Sequence, residues 1–238
     1  MYDLIASNYS SIFPLEAATV RFIEYYLKTI NAKKILDIGC AAGDLALALC
    51  QRGYFVSGID LNKKMIDIAK AKAGKHNASV SFKTQNMLEL DANEKFDCVL
   101  CLGNTLPHVS SWTELEKCIT IINRLLNKNG IFIFQILNYD KIVRDASVQF
   151  PKKENGEYVF SRNYTNITED KITFEIDFFD KIRGTHHTDS TELLPVKRTR
   201  VLELLQADGF IDSQVFSDYE KNTAGRDDFY NVFVSRKR

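Results

Sequence analysis

The sequence has no excess charge of either sign: across 238 residues, 31 Lys and Arg offset 31 Asp and Glu. Without an overall field, the chain is not suited to holding a polyanion or an anionic membrane, so nucleic acid is demoted as a partner and only a local patch stays open. The basic run "PVKRTR" lacks interleaved aromatics and reads as a solvated helix start. No segment is apolar for long enough to span a bilayer. The opening "MYDLIASNYSSIFPLEAATV" lacks the basic start and unbroken apolar core of an export signal. The expectation is a cytoplasmic protein with no membrane association. Five cysteines, Cys40, Cys50, Cys98, Cys101 and Cys118, are odd in number and lie in apolar stretches, as reduced core thiols do. Cys98 and Cys101 form a C-x-x-C inside a predicted strand, where an odd separation sends the two sulfurs to opposite faces. His186 and His187 are adjacent and point apart for the same reason, with no third ligand placed by sequence, so no metal site is expected.

What the chain does have is an apolar fraction of 45%, ample for a core, and a regular alternation of strand and helix. After an opening helix, "LEAATVRFIEYYLKTI", the order is strand "KKILDIG", helix "GDLALALCQRG" ending at Gly53, strand "YFVSGID", and helix "NKKMIDIAKAKAG". In that last helix Asn62 is the N-cap and Gly74 the residue just past the end. Strands "ASVSFKTQ" and "KFDCVLCLG" follow. Then come helix "SWTELEKCITIINRLLNKNG", with a Ser111–Glu114 capping box, and strand "IFIFQILN". Strands apolar on both faces require helices on both sides of a mostly parallel sheet, a doubly wound α/β core.

Near residue 145 the pattern changes. "EYVFSRNYTNI" and "KITFEIDFFDKI", joined by a turn at "TEDK", alternate as half-buried strands, and "THHTDSTEL" is a candidate third. Pro195 is expected to open a helix ended by Gly209, before two last strands. The domain reading is 1–144 with 196–238 as the α/β domain and 145–195 as an inserted antiparallel β flap. Its aromatics, among them Tyr158, Phe160, Tyr164, Phe174 and Phe178, read as core or interface, with one or two roofing a pocket.

In doubly wound sheets, ligands lie beyond the carboxyl ends of the strands, which directs attention to "LDIGCAAGDLAL". Small residues between a strand and a helix let a ligand approach the main chain and its free amide donors, although a tight turn alone needs the same composition. A phosphate-cradling loop needs a Gly-Lys-Ser/Thr ending that is absent here. The dinucleotide fingerprint fails because Asp44 stands where its third glycine belongs. An aspartate at a helix start also repels a pyrophosphate. An anionic cofactor is disfavoured, and one bearing positive charge is not. Asp37 ends the strand and can receive hydrogen bonds from the loop or from a cationic ligand. Asp60, ending the next strand, can accept both hydroxyls of a ribose or cap the following helix.

These residues resemble those of the class I S-adenosylmethionine-dependent methyltransferases, whose first motif is an acidic residue followed by Gly-x-Gly-x-Gly. "DIGCAAG" matches it at Asp37, Gly39 and Gly43 and departs at Ala41. The resemblance extends through most of the chain and implies a Rossmann-like methyltransferase fold with a seven-stranded sheet ending in an antiparallel pair. It implies S-adenosyl-L-methionine as cofactor, Asp60 on the ribose, Leu61 beside the adenine, and Asn86 and Met87 near the adenine amino group. The tail "CLGNTLPHV" looks like that of glycine and sarcosine methyltransferase relatives, which adds Leu102 and Gly103 to the cofactor contacts. "YDLIASNY" resembles their N-terminal lid, with Tyr9 the preferred cofactor contact and Tyr2 second.

The implied partner is a small-molecule methyl acceptor, in a protein that is a monomer or a homodimer. Transfer from a sulfonium is an in-line displacement that needs orientation and water exclusion but no enzyme nucleophile, and no Ser/His/Asp or Cys/His spacing stands out here. His108 is the candidate catalytic side chain, as a polar group near the acceptor, against the plainer role of a packed histidine. The rival readings are a nicotinamide oxidoreductase, which needs the missing glycines, a non-catalytic cofactor-binding module, and a methyltransferase acting on RNA or protein.

Overall fold

The computed structural model describes residues 2–91 and 93–238. A seven-stranded sheet forms its centre, from β1 (Lys34–Ile38), β2 (Phe55–Asp60), β3 (Ser81–Thr84), β4 (Phe96–Cys101), β5 (Leu126–Leu137) and, near the end of the chain, Phe210–Phe216 and Tyr230–Lys237. Helices α1 (Tyr9–Ile12), α2 (Ala17–Thr29), α3 (Asp44–Cys50), α4 (Lys63–Lys75), α5 (Trp112–Leu125) and α6 (Tyr139–Asp145) punctuate the strands. Four strands, β6 (Lys153–Glu154), β7 (Tyr158–Thr165), β8 (Ile172–Asp180) and β9 (Thr185–Leu193), build a second, antiparallel sheet. Helix α7 (Arg198–Ala207) then leads to β10 (Phe210–Phe216) and β11 (Tyr230–Lys237). The large sheet runs β10-β11-β5-β4-β1-β2-β3, with β11 antiparallel to both of its neighbours. Strand order reverses between β1 and β4, so a crevice opens at their carboxyl ends.

Each face of this sheet buries its own core. Leu36, Val99, Phe132 and Phe134 lie with α5 and α7 on one side, and Ile35, Leu100 and Ile133 with α2, α3 and α4 on the other. Cys98 and Cys101 fall into different cores, as their odd separation requires, and all five cysteines are free thiols. Among the described residues no helix is long and apolar enough to cross a membrane.

Local signals set several boundaries as expected. Asn62 Oδ1 accepts from Met65 N at 3.0 Å and Ser111 Oγ from Glu114 N at 3.2 Å, while Gly53 and Gly209 take positive φ past their helices. Other boundaries move. Glu114 closes its box on Ser110 N, one residue upstream of the cap. Helix α4 runs through Gly74 to Lys75, and Asn77 supplies the left-handed turn at φ 49°. Pro195 does not open α7, which starts at Arg198 after Lys197. Leu194 N donates to Pro107 O at 2.8 Å and Val196 is fully buried, which holds this segment extended. Helix α6 and strand β6 are additions to the sequence reading, α6 being started by Asn138, whose side chain accepts from Lys141 N.

The second sheet packs one face onto the N-terminal segment. Tyr158, Phe160, Phe174, Ile176 and Phe178 enclose Ile5 and Ile12, and Ser11 Oγ and Tyr158 Oη hydrogen-bond at 2.8 Å. The same segment is tied to the large domain: Asn62 Nδ2 donates to Asp3 Oδ1 at 2.7 Å, and Lys72 Nζ to Ser10 Oγ at 2.7 Å. It therefore bridges flap and α/β core directly over the crevice.

Candidate active site

The β1–α3 junction is shaped by packing from beneath. Gly39, Ala41 and Gly43 all have positive φ, at 71°, 45° and 79°. The amides of Gly39 and Cys40 both donate to Ile59 O, at 2.8 and 2.9 Å, which fastens the loop across the end of β2. A Cβ on Gly39 would lie 2.5 Å from Thr105 Oγ1, and one on Gly43 would lie 2.7 Å from the Phe82 ring. Thr105 is itself fixed, its Oγ1 donating to Leu102 O at 2.7 Å. The glycines thus answer to neighbouring side chains as well as to φ. Ala41 holds the left-handed region with a methyl group, at a cost of roughly 1–2 kcal/mol.

Ala41 N donates to Asp60 Oδ2 at 2.9 Å, and Asn62 N donates to Asp60 Oδ1 at 2.8 Å. Each carboxylate oxygen keeps lone pairs for a ligand hydroxyl. Burial raises the Asp60 pKa, and the two amide bonds oppose that rise. The helix cap that Asp60 might have supplied belongs to Asn62. Asp37 differs: it is buried, and no group among the described residues hydrogen-bonds its carboxylate. Burial, reinforced by Asp60, pushes its pKa up to about 7. A buried carboxylate of this kind is strongly stabilised by a cation brought against it.

Above the junction lies a cavity of about 520 Å³, within the range of small-molecule sites. Its lining brings together many of the expected residues: Tyr9 and Tyr2 from the N-terminal segment, Gly39 and Ala41, Asp60 and Leu61, Asn86 and Met87, and Gly103 and His108. Leu61 stays 73% exposed at the rim. Asn86 Oδ1 accepts from Leu88 N at 3.0 Å, which orients its amide. Three expected contacts lie outside the lining. Asp37 sits below the floor, Gly43 is the buried N-cap residue of α3, and Leu102 packs with the core behind β4.

The sequence reading missed Thr105, Gln85, Ser110, Glu114 and, from the flap, Thr191. Gln85 was within reach as the neighbour of Asn86 after β3, whereas nothing local marks Thr191. Also missed is a polar cluster beside Gly103, in which Asn104 Nδ2 donates to Tyr139 Oη at 2.8 Å and Tyr164 Oη at 3.1 Å.

His108 Nε2 lies 3.1 Å from Tyr2 Oη, with the rings edge to face. Burial pulls the His108 pKa down to about 4, so the imidazole is neutral near pH 7. The charged side chains of the lining are the carboxylates of Asp60 and Glu114, and neither Lys nor Arg is among them. With the bare carboxylate of Asp37 below, this donor set fits a nucleoside carrying positive charge and opposes a pyrophosphate. Among the described residues no His, Cys, Asp and Glu cluster is suited to a metal ion.

Known proteins resemble this chain over much of its length. The family profile described as "Methyltransferase domain" matches residues 35–130, from β1 into β5. A protein of Geobacillus sp. (strain WCH70) named as a methyltransferase is 28% identical over 225 residues, 91% of this chain and 90% of its own length. The glycine/sarcosine N-methyltransferase of Aphanothece halophytica is 23% identical over 90% of this chain and 81% of its own. Among solved structures, an S-adenosylmethionine-dependent methyltransferase from Clostridium acetobutylicum superposes with a TM-score of 0.85 at 18% identity. The match covers 99% of this chain and 98% of that one, so the fold is shared end to end.

Proposed function

We infer that this chain, a class I S-adenosylmethionine-dependent methyltransferase, delivers its methyl group to a small-molecule acceptor. The observation that carries the reading is the roof over the cavity. Tyr2 and Tyr9 of the N-terminal segment and Thr191 of β9 line the same chamber as Asp60 and Ala41. An acceptor that meets the cofactor there has to fit beneath the flap, which favours a small molecule over a nucleic-acid or protein chain. Relatives named for glycine and sarcosine, and a structural neighbour described as a sugar N-methyltransferase, agree with a small acceptor.

The bound cofactor supplies a methyl group already activated on a sulfonium. In our reading Asp60 accepts the ribose hydroxyls while Ala41 N and Asn62 N hold its carboxylate in place. Asp37 meets the positive amino-acid end from below, and Asn86 and Met87 flank the adenine. The N-terminal segment and flap exclude water and set the acceptor in line. His108 is neutral at physiological pH and holds protons weakly, so we give it an orienting hydrogen bond to the acceptor, shared with Tyr2, in place of the role of proton sink.

The test is incubation with methyl-labelled cofactor and a size-fractionated cell extract. Label in the low-molecular-mass fraction, absent with Asp60→Ala, is the expected result. Label confined to RNA or protein overturns the reading.

A further inference from the structure

The cavity lining holds no cation, yet a strongly placed one lies just behind it. In β7, Tyr158, Phe160, Arg162 and Tyr164 alternate onto one face. The first two pack against the N-terminal segment, and the Tyr164 hydroxyl takes its hydrogen bond from Asn104 beside the β4 loop. Arg162 lies between these anchors. Its guanidinium carbon is 4.3 Å from the Phe150 ring centroid and 5.3 Å from that of Phe13. Rings hold the charge through their faces and accept none of its directed N–H bonds.

Among the described residues no oxygen accepts a hydrogen bond from Arg162 and no carboxylate pairs with it. Exposed Arg144 and half-buried Arg198 differ. Arg144 forks onto Asp145 and Asp227, and Arg198 is bonded to Asn231 and two carbonyls. The electrostatic neighbours of Arg162 are instead phenols, Tyr164, Tyr230, Tyr2 and Tyr9, and the last two line the cavity. Burial draws its pKa below the usual arginine value, a cost that a bound anion would offset.

We propose that Arg162 is the carboxylate-binding residue of the methyl-transfer chamber, its N–H fork kept free by Phe13 and Phe150. The assignment rests on the reading of the cavity as an S-adenosylmethionine site. Two carboxylates are candidates for it: that of the cofactor's amino-acid end, and one on the acceptor. A planar bidentate donor suits either.

Calorimetry distinguishes them. S-adenosylhomocysteine and 5′-methylthioadenosine, which lacks the amino-acid end, are titrated into wild type, Arg162→Gln and Arg162→Lys, each checked by thermal melting. Arg162→Lys keeps a charge between the two rings and secures a folded comparison. If Arg162 holds the cofactor, its loss weakens S-adenosylhomocysteine about 10- to 100-fold and leaves methylthioadenosine unchanged, with lysine intermediate. If it holds the acceptor, both nucleosides bind as before, and acetate binds the wild-type S-adenosylhomocysteine complex but not that of Arg162→Gln. Affinities for S-adenosylhomocysteine and acetate that are indifferent to Arg162 overturn the assignment and leave the parent reading intact. A wild-type chain that binds neither nucleoside overturns both.

Discussion

The two walls of the cavity are made of different material. The wall below is backbone and carboxylate: a loop of three positive-φ residues pinned to Ile59 O, with Asp60 held by two amides and Asp37 held by none. The wall above is aromatic: Tyr2 and Tyr9, on a segment of short helical turns held to the flap by the buried Ile5 and Ile12. The lower wall is precise because hydrogen bonds are directional. The upper one is cohesive but yielding, because apolar burial is not directional. A methyl-transfer site that has to admit its ligands and then exclude water gains from that division. In the proposed function, fixed groups recognise the cofactor and the less directional wall serves as its cover.

The largest break in this contrast is expected at Asp60. Replacing it with Ala removes the proposed ribose acceptor and also leaves the amides of Ala41 and Asn62 unpaired, so affinity for S-adenosylhomocysteine should fall by about 3 kcal/mol, measured by calorimetry. Near-normal binding by the folded variant would refute the lower wall as a recognition surface.

Asp37 sharpens the contrast through pH. Its folded-state pKa is about 7 against 3.8 ordinarily, so between those values the folded protein holds a proton that the unfolded chain has released. Its contribution to stability therefore declines as pH rises across that window. Asp37→Asn should raise the stability of the ligand-free protein at pH 8 by on the order of 2–4 kcal/mol. In the proposed function Asp37 meets the ammonium group of the ligand's amino-acid end, which calls for the ionised carboxylate. Wild-type affinity for S-adenosylhomocysteine should thus be about tenfold weaker at pH 6 than at pH 8, a dependence lost in Asp37→Asn. A variant less stable at pH 8, with the pH dependence intact, would show that Asp37 is held by the protein alone.

The upper wall should respond in kinetics. Ile12 is fully buried between the N-terminal segment and the flap, and its truncation to Ala removes about 2 kcal/mol of local packing. The expected outcome is faster release of S-adenosylhomocysteine in stopped flow with the thermal transition of the α/β core little moved. A release rate equal to wild type would mean that the segment is not a cover.

The same division separates what could be read in the sequence from what could not. The α/β order, the caps at Asn62 and Ser111, and the small-residue loop are local patterns whose physics is complete within a dozen residues. The place of Asp60 and Asn86 on the cavity lining was legible because strand ends in such a sheet converge. Thr191 and Arg162 had no local mark, since their relation to His108 and Phe13 is set by a flap folding back over residues roughly 80 and 150 positions earlier. Thr105 gave none either, because the need for glycine at position 39 is a contact between two loops. Pro195 misled for a related reason: its preference for a helix start was overridden by the Leu194–Pro107 hydrogen bond and the burial of Val196.

The smallest effect is expected where the two walls meet. Lys72 of α4 donates to Ser10 Oγ at 2.7 Å and pairs with Asp44 Oδ1 at 2.6 Å, one cation joining the N-terminal segment to both α3 and α4. The lysine and aspartate side chains remain 26% and 32% exposed, so solvent screening holds the bridge to about 0.5–1 kcal/mol. Lys72→Met keeps the aliphatic stem and removes the charge. Release of S-adenosylhomocysteine should quicken by about twofold to fivefold in dilute buffer, and the difference from wild type should shrink in 1 M salt, where the Debye length falls to about 3 Å. A difference that survives high salt would assign the effect to lost packing on the helix and detach this joint from the opening of the cover.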